Sequence, residues 1–353
     1  MLPSRSEARP ASSQMPCATE DVEEFISRPT PEVAAALAQA DGPVMVLGAG
    51  GKLGLHLTLM AHQALRSLKR SNPVIAVSRY NTLRARADFE RLGLTTLSCD
   101  LEDPDQLLRL PDAGTVFFLA GVKFGTAMAP DLLRRLNVEM PRRVAERYRS
   151  SRIVAFSSGA VYPFVLPASG GASESTPPAP VGDYAASCLA REQSFTEISL
   201  RHRTPVALIR LNYAVEFRYG VLVDIAQKVL NGEPLDVSMG YVNVIWQGDA
   251  VADSVQALSL TATPPAPINV TGPGVLSVRE LAERFGREFG RPPKIVGKEA
   301  ETALLSDASY CHRLFGKPRV SLDQMISWTA AWLVRSGQTW GKPTGFERRN
   351  GEY

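Results

Sequence analysis

The chain is poor in the features that mark several large classes of protein. Its 353 residues include four cysteines and four histidines. Cys17, Cys99, Cys188 and Cys311 are scattered with no C-x-x-C spacing. That argues against a zinc site or a disulfide framework and fits a reducing cytoplasm. His56, His62, His202 and His312 sit on helical or surface-like segments, and none is assigned a ligand role, so no metal is expected. No apolar run approaches the ~18 residues a membrane span needs. The N-terminus lacks the basic-then-apolar pattern of an export signal, so a cytoplasmic location is expected. Net charge is only +3, and no dense Lys/Arg run with interleaved aromatics appears, which excludes nucleic acid as an expected partner.

What is there is an ordinary globular mix, 44% hydrophobic and 21% charged, long enough for one large or two modest domains. The most informative stretch runs from Val44 to Gly54. A short apolar run ends in glycines spaced G-x-x-G-x-x-G (Gly48, Gly51, Gly54, with Gly50 between), and a helical pattern follows from Leu55 to about Leu68. This reads as a buried strand, a tight turn and a helix start. The glycines let the backbone bend sharply and let a pyrophosphate approach the free N–H groups at the helix N-terminus. Gly48, Gly50, Gly51, Lys52, Leu53 and Gly54 are therefore candidate cofactor-binding residues. A glycine turn that merely packs strand on helix would look similar.

Five more apolar runs follow, Val74–Val77, Thr95–Cys99, Val116–Leu119, Ile153–Phe156 and Val206–Leu211. Most are separated by segments with helical spacing, such as Met128–Arg149 and Tyr184–Arg201. This alternation predicts an α/β fold, a Rossmann-type doubly wound parallel sheet with ligands at the carboxyl ends of its strands. After Leu211 the regularity fades. Gly/Pro-containing stretches (232–234, 264–267, 272–274 and 291–293) separate short helices, which predicts a smaller, irregular α/β C-terminal domain. The expected division is 1–41 as an N-terminal extension, 42–212 as the nucleotide-binding domain, and 213–353 as mainly the second domain, with some segments returning to the first. Within the extension, residues 1 to about 18 are Ser/Pro/Ala-rich and expected to be flexible. Thr19–Ser27 and Pro31–Ala40 read as short helices packed on the outside, the second capped by Thr30 with Pro31 in its first turn.

At the end of the second strand, Ser78 and Arg79 stand where a carboxylate would hold a ribose 2′-hydroxyl. A serine followed by an arginine suits a 2′-phosphate, so NADP is the expected cofactor and NAD the second choice. The other reading of Arg79 is a solvated loop residue. Asp100 and Leu101 could meet the adenine or cap the helix ahead of Pro104. Leu119, Ala120 and Gly121 put small groups beside a cofactor. Lys123 reads either as a cation near its phosphates or as a surface lysine.

Two further segments sharpen the picture. Ile153 to Pro163 is a buried strand ending in Ser157-Ser158, with Val161-Tyr162 beyond, and Asp183 to Glu192 carries a Tyr-x-x-Ser-x-x-x-x-Glu pattern. Together with the glycine turn, they resemble the extended short-chain dehydrogenase/reductase family, in particular its NAD(P)-dependent epimerase/dehydratase branch. The resemblance is strong from about Val44 to Glu192 and looser beyond. It implies that Ser158 orients the substrate oxygen, that Tyr184 is the acid/base and also meets the cofactor, and that the protein is a homodimer through the Met128–Arg149 and Tyr184–Arg201 helices. It also exposes a departure, because the helix lysine of the family falls on Cys188. Positions i and i+4 share a helix face, so Cys188 should point toward the pocket of Tyr184. A lysine there supplies positive field: a cation ~4 Å from a phenol contributes about 4 kcal/mol at an effective dielectric of ~20, roughly three pKa units. A cysteine supplies none. A thiolate nucleophile at Cys188 is possible, a small buried cysteine the plainer reading.

Two activities follow from the resemblance. One is redox chemistry on a hydroxyl or keto carbon of a polar, sugar-like small molecule, as in an epimerase, dehydratase or reductase. The other is a nucleotide binder whose hydride step is lost, acting as a non-redox lyase or isomerase or as a regulatory protein. Asn212, Tyr213, Asn243 and Trp246 are candidate substrate contacts, although residues such as Asn243 and Trp246 are more often domain-interface packing. Phe217 to Tyr219 offers a cation and aromatics near the pocket mouth, and Arg210 reads as a structural ion-pair partner. Trp328, Trp332 and Trp340 are assigned to core packing.

Overall fold

The computed structural model describes residues 15–16, 21–81, 83–123 and 129–351. Apart from residues 15–16, the expected flexible stretch 1–18, with Cys17, lies outside the described residues, as does Met128 of the expected Met128–Arg149 helix. The six apolar runs form strands β1 (Val44–Leu47), β2 (Val74–Ser78), β3 (Thr95–Ser98), β4 (Thr115–Phe118), β5 (Arg152–Ser158) and β6 (Val206–Leu211). A seventh, β7 (Ala266–Val270), comes from within the region read as irregular. All pair in parallel in the order β7-β6-β5-β4-β1-β2-β3. Pro267 misled the reading, because a proline donates nothing to a ladder. It is accommodated because β7 lies at the edge and pairs only with β6.

Every residue of β1 and β4 is buried, since both faces of the sheet are covered. On one face Val46, Leu57, Met60, Val154 and Ile209 pack with Val251 and Val255 of the Gln247–Gln256 helix. On the other Met45, Val116 and Phe118 meet Met140, Val144, Phe195 and Ile198. The protein is thus a doubly wound Rossmann-type fold. The strand order reverses between β1 and β4, and the crevice beyond the carboxyl ends of these two strands is where such sheets take ligands.

A second apolar cluster joins the Val221–Asn231, Val278–Phe289 and Leu322–Val334 helices around Phe217, Trp246, Trp328 and Trp332. Three two-stranded pairs complete this smaller, irregular α/β part: Ala214–Val215 with Ile245–Trp246, Pro234–Asp236 with Lys294–Val296, and Tyr241–Val242 with Leu276–Ser277. The N-terminal helices run Asp21–Ile26 and Pro31–Leu37, the second with Thr30 accepting from Val33 N–H and Pro31 in its first turn. The expected Met128–Arg149 helix is interrupted. Pro130–Arg134 and Met140–Arg147 flank a π-turn at Arg135–Glu139, because Pro141 has no N–H to give the Asn137 carbonyl. Among the described residues no helix is long and apolar enough to cross a membrane.

Candidate active site

The glycines after β1 have separable reasons. Gly48 adopts φ +86°, and a Cβ there would fall 2.5 Å from the Ala120 nitrogen. Its N–H and that of Ala49 both donate to the Val77 carbonyl (2.9 and 3.0 Å), tying the turn to β2. A Cβ on Gly54 would lie 2.3 Å from the Ala49 carbonyl oxygen, so this glycine lets helix and turn touch. Gly51 meets only its own turn, at 3.4 Å, and leaves the bend open to the crevice. The Gly54–Ser67 helix that follows has Leu53 at its N-cap and no side-chain cap. Its first N–H groups are therefore presented, with the positive end of the helix dipole, to whatever fills the crevice. This cradle fits a dinucleotide diphosphate.

The crevice has two ends. Gly48, Gly51, Ser78, Arg79, Asp100, Leu101, Leu119, Ala120 and Gly121 line one. There Arg79 lies 3.6 Å from Asp100. The Asp100 carboxylate also accepts from Glu102 N–H at 3.0 Å. At the other end a cavity of about 760 Å³ is lined by Gly51, Lys52, Leu53, Lys123, Ser158, Asn212 and Tyr213, among others. Gly54, Lys123 and Tyr184 border the narrower space between the glycine turn and β5. Gly50 is not in the lining; a Cβ on it would strike the Ser78 hydroxyl at 2.6 Å.

Ser158 ends β5, where its hydroxyl accepts from Ala160 N–H at 3.1 Å. Tyr184 stands in the first turn of the Asp183–His202 helix, and its phenol shares hydrogen bonds with Ser158 and Cys188. Burial pushes this phenol well above the ordinary tyrosine range; Arg191 and the Ser158 hydrogen bond pull the other way. Cys188 is fully buried behind the phenol, against Val161, Tyr162 and Ala172, and burial pushes its thiol up. The cations stand on other elements. Lys123 Nζ lies 5.7 Å from the Tyr184 ring centroid, and burial lowers this lysine to about 8. Lys52 Nζ donates to the Ala214 carbonyl at 2.5 Å and faces the Tyr219 ring at 4.2 Å. Burial lowers it to about 7.

Two residues of this site escaped the sequence reading. Arg191, one turn beyond Cys188, is buried and donates to the Phe156 carbonyl (3.1 Å) and Asn137 Oδ1 (2.6 Å). Asn137 projects from the π-turn, exchanges hydrogen bonds with the backbone of Val122 (2.9 Å each way) and donates to Ser187 at 2.9 Å. It thereby anchors the loop that carries Lys123. A proline four residues after a polar residue in a long helical pattern was the available signal.

Other sequence candidates lie elsewhere. Asn243 is consumed by Gly274 O and Ser306 N–H, and Trp246 packs among Phe25, Phe217 and Trp328, so neither is brought to the cavity. Asn212 is brought there, and its buried amide nitrogen has no hydrogen-bond partner among the described residues. Arg210 pairs with Glu192 at 2.6 Å. Arg218, rather than reaching the pocket mouth, is locked between Glu23 and Glu216. Trp340 is not core: it lines the large cavity. Cys99, Cys188 and Cys311 are free, and no cluster of possible metal ligands occurs among the described residues.

Residues 44–257 match the model of a family described as the NAD dependent epimerase/dehydratase family. No curated protein matches the chain. Among solved structures, MoeE5 in complex with UDP-glucose and NAD shares 24% identity at a TM-score of 0.63, over 84% of this chain and 99% of that one. The UDP-glucose 4-epimerase of Thermus thermophilus in complex with NAD gives 19% identity and 0.66, over 82% and 98%. WbmG of Bordetella bronchiseptica, in complex with NAD and UDP, gives 20% and 0.67, over 85% and 96%.

Proposed function

The chain belongs to the NAD dependent epimerase/dehydratase family, and from that premise we propose that it is an enzyme working on a hydroxyl or keto carbon of a polar, sugar-like molecule with a bound nicotinamide dinucleotide. The observation that carries this is the pairing of Tyr184 with Ser158 beyond the glycine turn, Tyr184 bordering the narrow space beside the turn and Ser158 the adjoining cavity. In this reading residues 42–212 hold the nucleotide and most of 213–353 encloses the substrate. The uncapped helix after Gly54 holds the diphosphate, and Ser78, Arg79, Asp100 and Leu101 surround the adenosine end. When bound, the cofactor supplies or accepts hydride at the substrate carbon.

The protein's own part is proton handling. Ser158 positions the substrate oxygen and Tyr184 exchanges a proton with it. Burial raises the phenol above its ordinary range, which disfavours its ionised form and suits Tyr184 to donating a proton to a substrate oxygen. Asn212, whose buried amide nitrogen has no partner among the described residues, is a further donor for the substrate. Ser78 and Arg79 support NADP; the Arg79–Asp100 contact and the NAD named with several similar structures support NAD. A cytoplasmic homodimer completes the proposal, and light scattering of the purified protein tests its mass.

Mass spectrometry of nucleotide co-purifying with the protein tests the cofactor and its redox state. Tyr184→Phe is expected to lower turnover by more than about hundredfold while leaving the NAD(P) dissociation constant within about twofold. Cys188 in place of lysine favours a second reading, a nucleotide binder without hydride exchange. Bound cofactor with no exchange across a panel of nucleotide sugars would select it.

A further inference from the structure

The Asp183–His202 helix carries a charge on the side of Tyr184. Arg191 follows Tyr184 by seven residues, two helical turns, so both side chains leave the same side of the helix with Cys188 between them. Arg191 is 7% exposed and borders the same narrow space between the glycine turn and β5 as Tyr184 does. Its Nη1 donates to the carbonyl of Phe156, two residues ahead of Ser158, and its Nη2 to Asn137 Oδ1. A Cβ on Gly121 would strike Nη2, so the guanidinium also abuts the loop after β4. A strand, the π-turn and a loop thus fix it from three directions.

Both acceptors are neutral, and Nε has no partner among the described residues. Nor does a carboxylate pair with Arg191 among them, since the adjacent Glu192 is taken by Arg210 (2.6 Å) and by the Ser157 hydroxyl (2.6 Å). A buried guanidinium without a counter-ion costs stability, and its field falls on whatever shares the space. What shares it is the Tyr184 phenol.

The other groups about the phenol supply less. Cys188 and the Ser158 hydroxyl are neutral while protonated. Tyr162 and Tyr241 join the apolar clusters against which Tyr184 packs, and Arg210 and Asn269 hold the Tyr162 hydroxyl. Arg349 reaches the same cluster at Phe164 (4.5 Å) and Met239. The rival cation is Lys123, 5.7 Å from the Tyr184 ring centroid. Burial lowers it to about 8, so it gives up its charge before a buried phenol titrates, whereas a guanidinium keeps its own. Burial and Cys188 push the phenol up; Arg191 is the charge that pulls it down.

We propose that Arg191 takes over the electrostatic work of the lysine whose place Cys188 occupies. It is a positioning residue that offsets the negative charge left on Tyr184 Oη when the phenol O–H breaks and the proton passes to the substrate oxygen. This rests on the reading of Tyr184 as the acid/base.

The test places 3,5-difluorotyrosine at position 184 of the full chain, which brings the phenol transition into the range where the protein stays folded, and follows it by fluorine NMR. Arg191→Gln keeps an amide donor without the charge and is expected to raise the transition by about one to two pH units. Arg191→Met should match it, and Arg191→Lys should stay within about half a unit of the unsubstituted chain. A transition that follows hydrogen bonding instead, unmoved in Arg191→Gln, overturns the inference. So does a larger rise in Lys123→Met than in the neutral Arg191 variants, or unfolding of both of those variants. In turnover of a nucleotide sugar, Arg191→Gln should lose about tenfold or more in kcat with KM within about threefold, and adding Cys188→Lys should recover most of that loss. A loss that the added lysine leaves untouched makes Arg191 structural and overturns the inference. If the transition moves as expected while Tyr184→Phe leaves turnover intact, the field of Arg191 stands and the acid/base reading of Tyr184 falls.

Discussion

Lys52 is half-buried against a carbonyl and an aromatic ring, and that placement governs how it titrates. Its folded pKa of about 7 lies below the unfolded lysine value of about 10.4. Between those two pH values the unfolded chain binds more protons than the folded one, so this group makes stability rise with pH across that window. Lys52→Met should flatten the rise and stabilise the protein near pH 7, by no more than about 1–2 kcal/mol given the open cavity mouth. Urea unfolding at pH 6.5 and 9.5 checks both; a variant that keeps the wild-type slope would remove Lys52 as its source. At Tyr184 the argument runs the other way, because a cation added close by lowers a phenol. Cys188→Lys should bring the tyrosinate transition down by about two to three pH units, read as the ultraviolet difference from the variant that also carries Tyr184→Phe. An unmoved transition would mean that the new ammonium points elsewhere.

The element that matters most to the site is an irregular one. The π-turn at Arg135–Glu139 spends helical regularity to aim Asn137 at Val122, Ser187 and Arg191 together. Asn137→Ala leaves the Val122 N–H and C=O and one Arg191 N–H group without their partner, an expected loss of about 2–4 kcal/mol in urea unfolding. Because the same side chain anchors the loop of Lys123, NAD(P) affinity should fall as well. Unchanged stability would show that water replaces the amide. The strands offer the contrast. β1 and β6 were legible in the sequence to the residue, since buried parallel strands need near-continuous apolar runs. β7 was not, because an edge strand tolerates a proline that a central strand would reject.

Across the whole molecule, one buried cluster joins segments far apart in sequence. Glu23 of the Asp21–Ile26 helix accepts from Arg84 (2.7 Å) and Arg218 (2.7 Å) and meets His56 Nε2 at 2.6 Å, while His56 Nδ1 contacts Gln247 at 2.6 Å. Both arginines also flank Trp340 of the C-terminal segment. Burial alone would raise the Glu23 pKa, but His56 and Arg218 hold it well below the usual carboxylate range. A depressed carboxylate contributes its stability fully above the unfolded value of about 4.3 and loses it as pH falls. Glu23→Gln leaves Arg84 and Arg218 buried with less charge to answer them, an expected loss of about 3–5 kcal/mol at pH 7, together with part of the acid limb of stability. Thermal unfolding from pH 3 to 7 checks this, and an undiminished midpoint at pH 7 would sink it. The sequence reading took this helix for outer packing, because a lone Glu, His and Arg some 30 to 190 residues apart carry no local pattern.

The sequence by itself determined the parallel sheet and the bend after β1, because strand hydrophobicity and the steric demands of Gly48 and Gly54 are local. It also carried the family, through motifs that each lie within about a dozen residues. Only the tertiary structure decided which cations stand near Tyr184, that Trp340 lines a cavity, and that Asn243 and Trp246 are spent inside. Those outcomes depend on contacts between distant segments. Side-chain reach and burial are properties of the packed chain, and neither periodicity nor spacing encodes them.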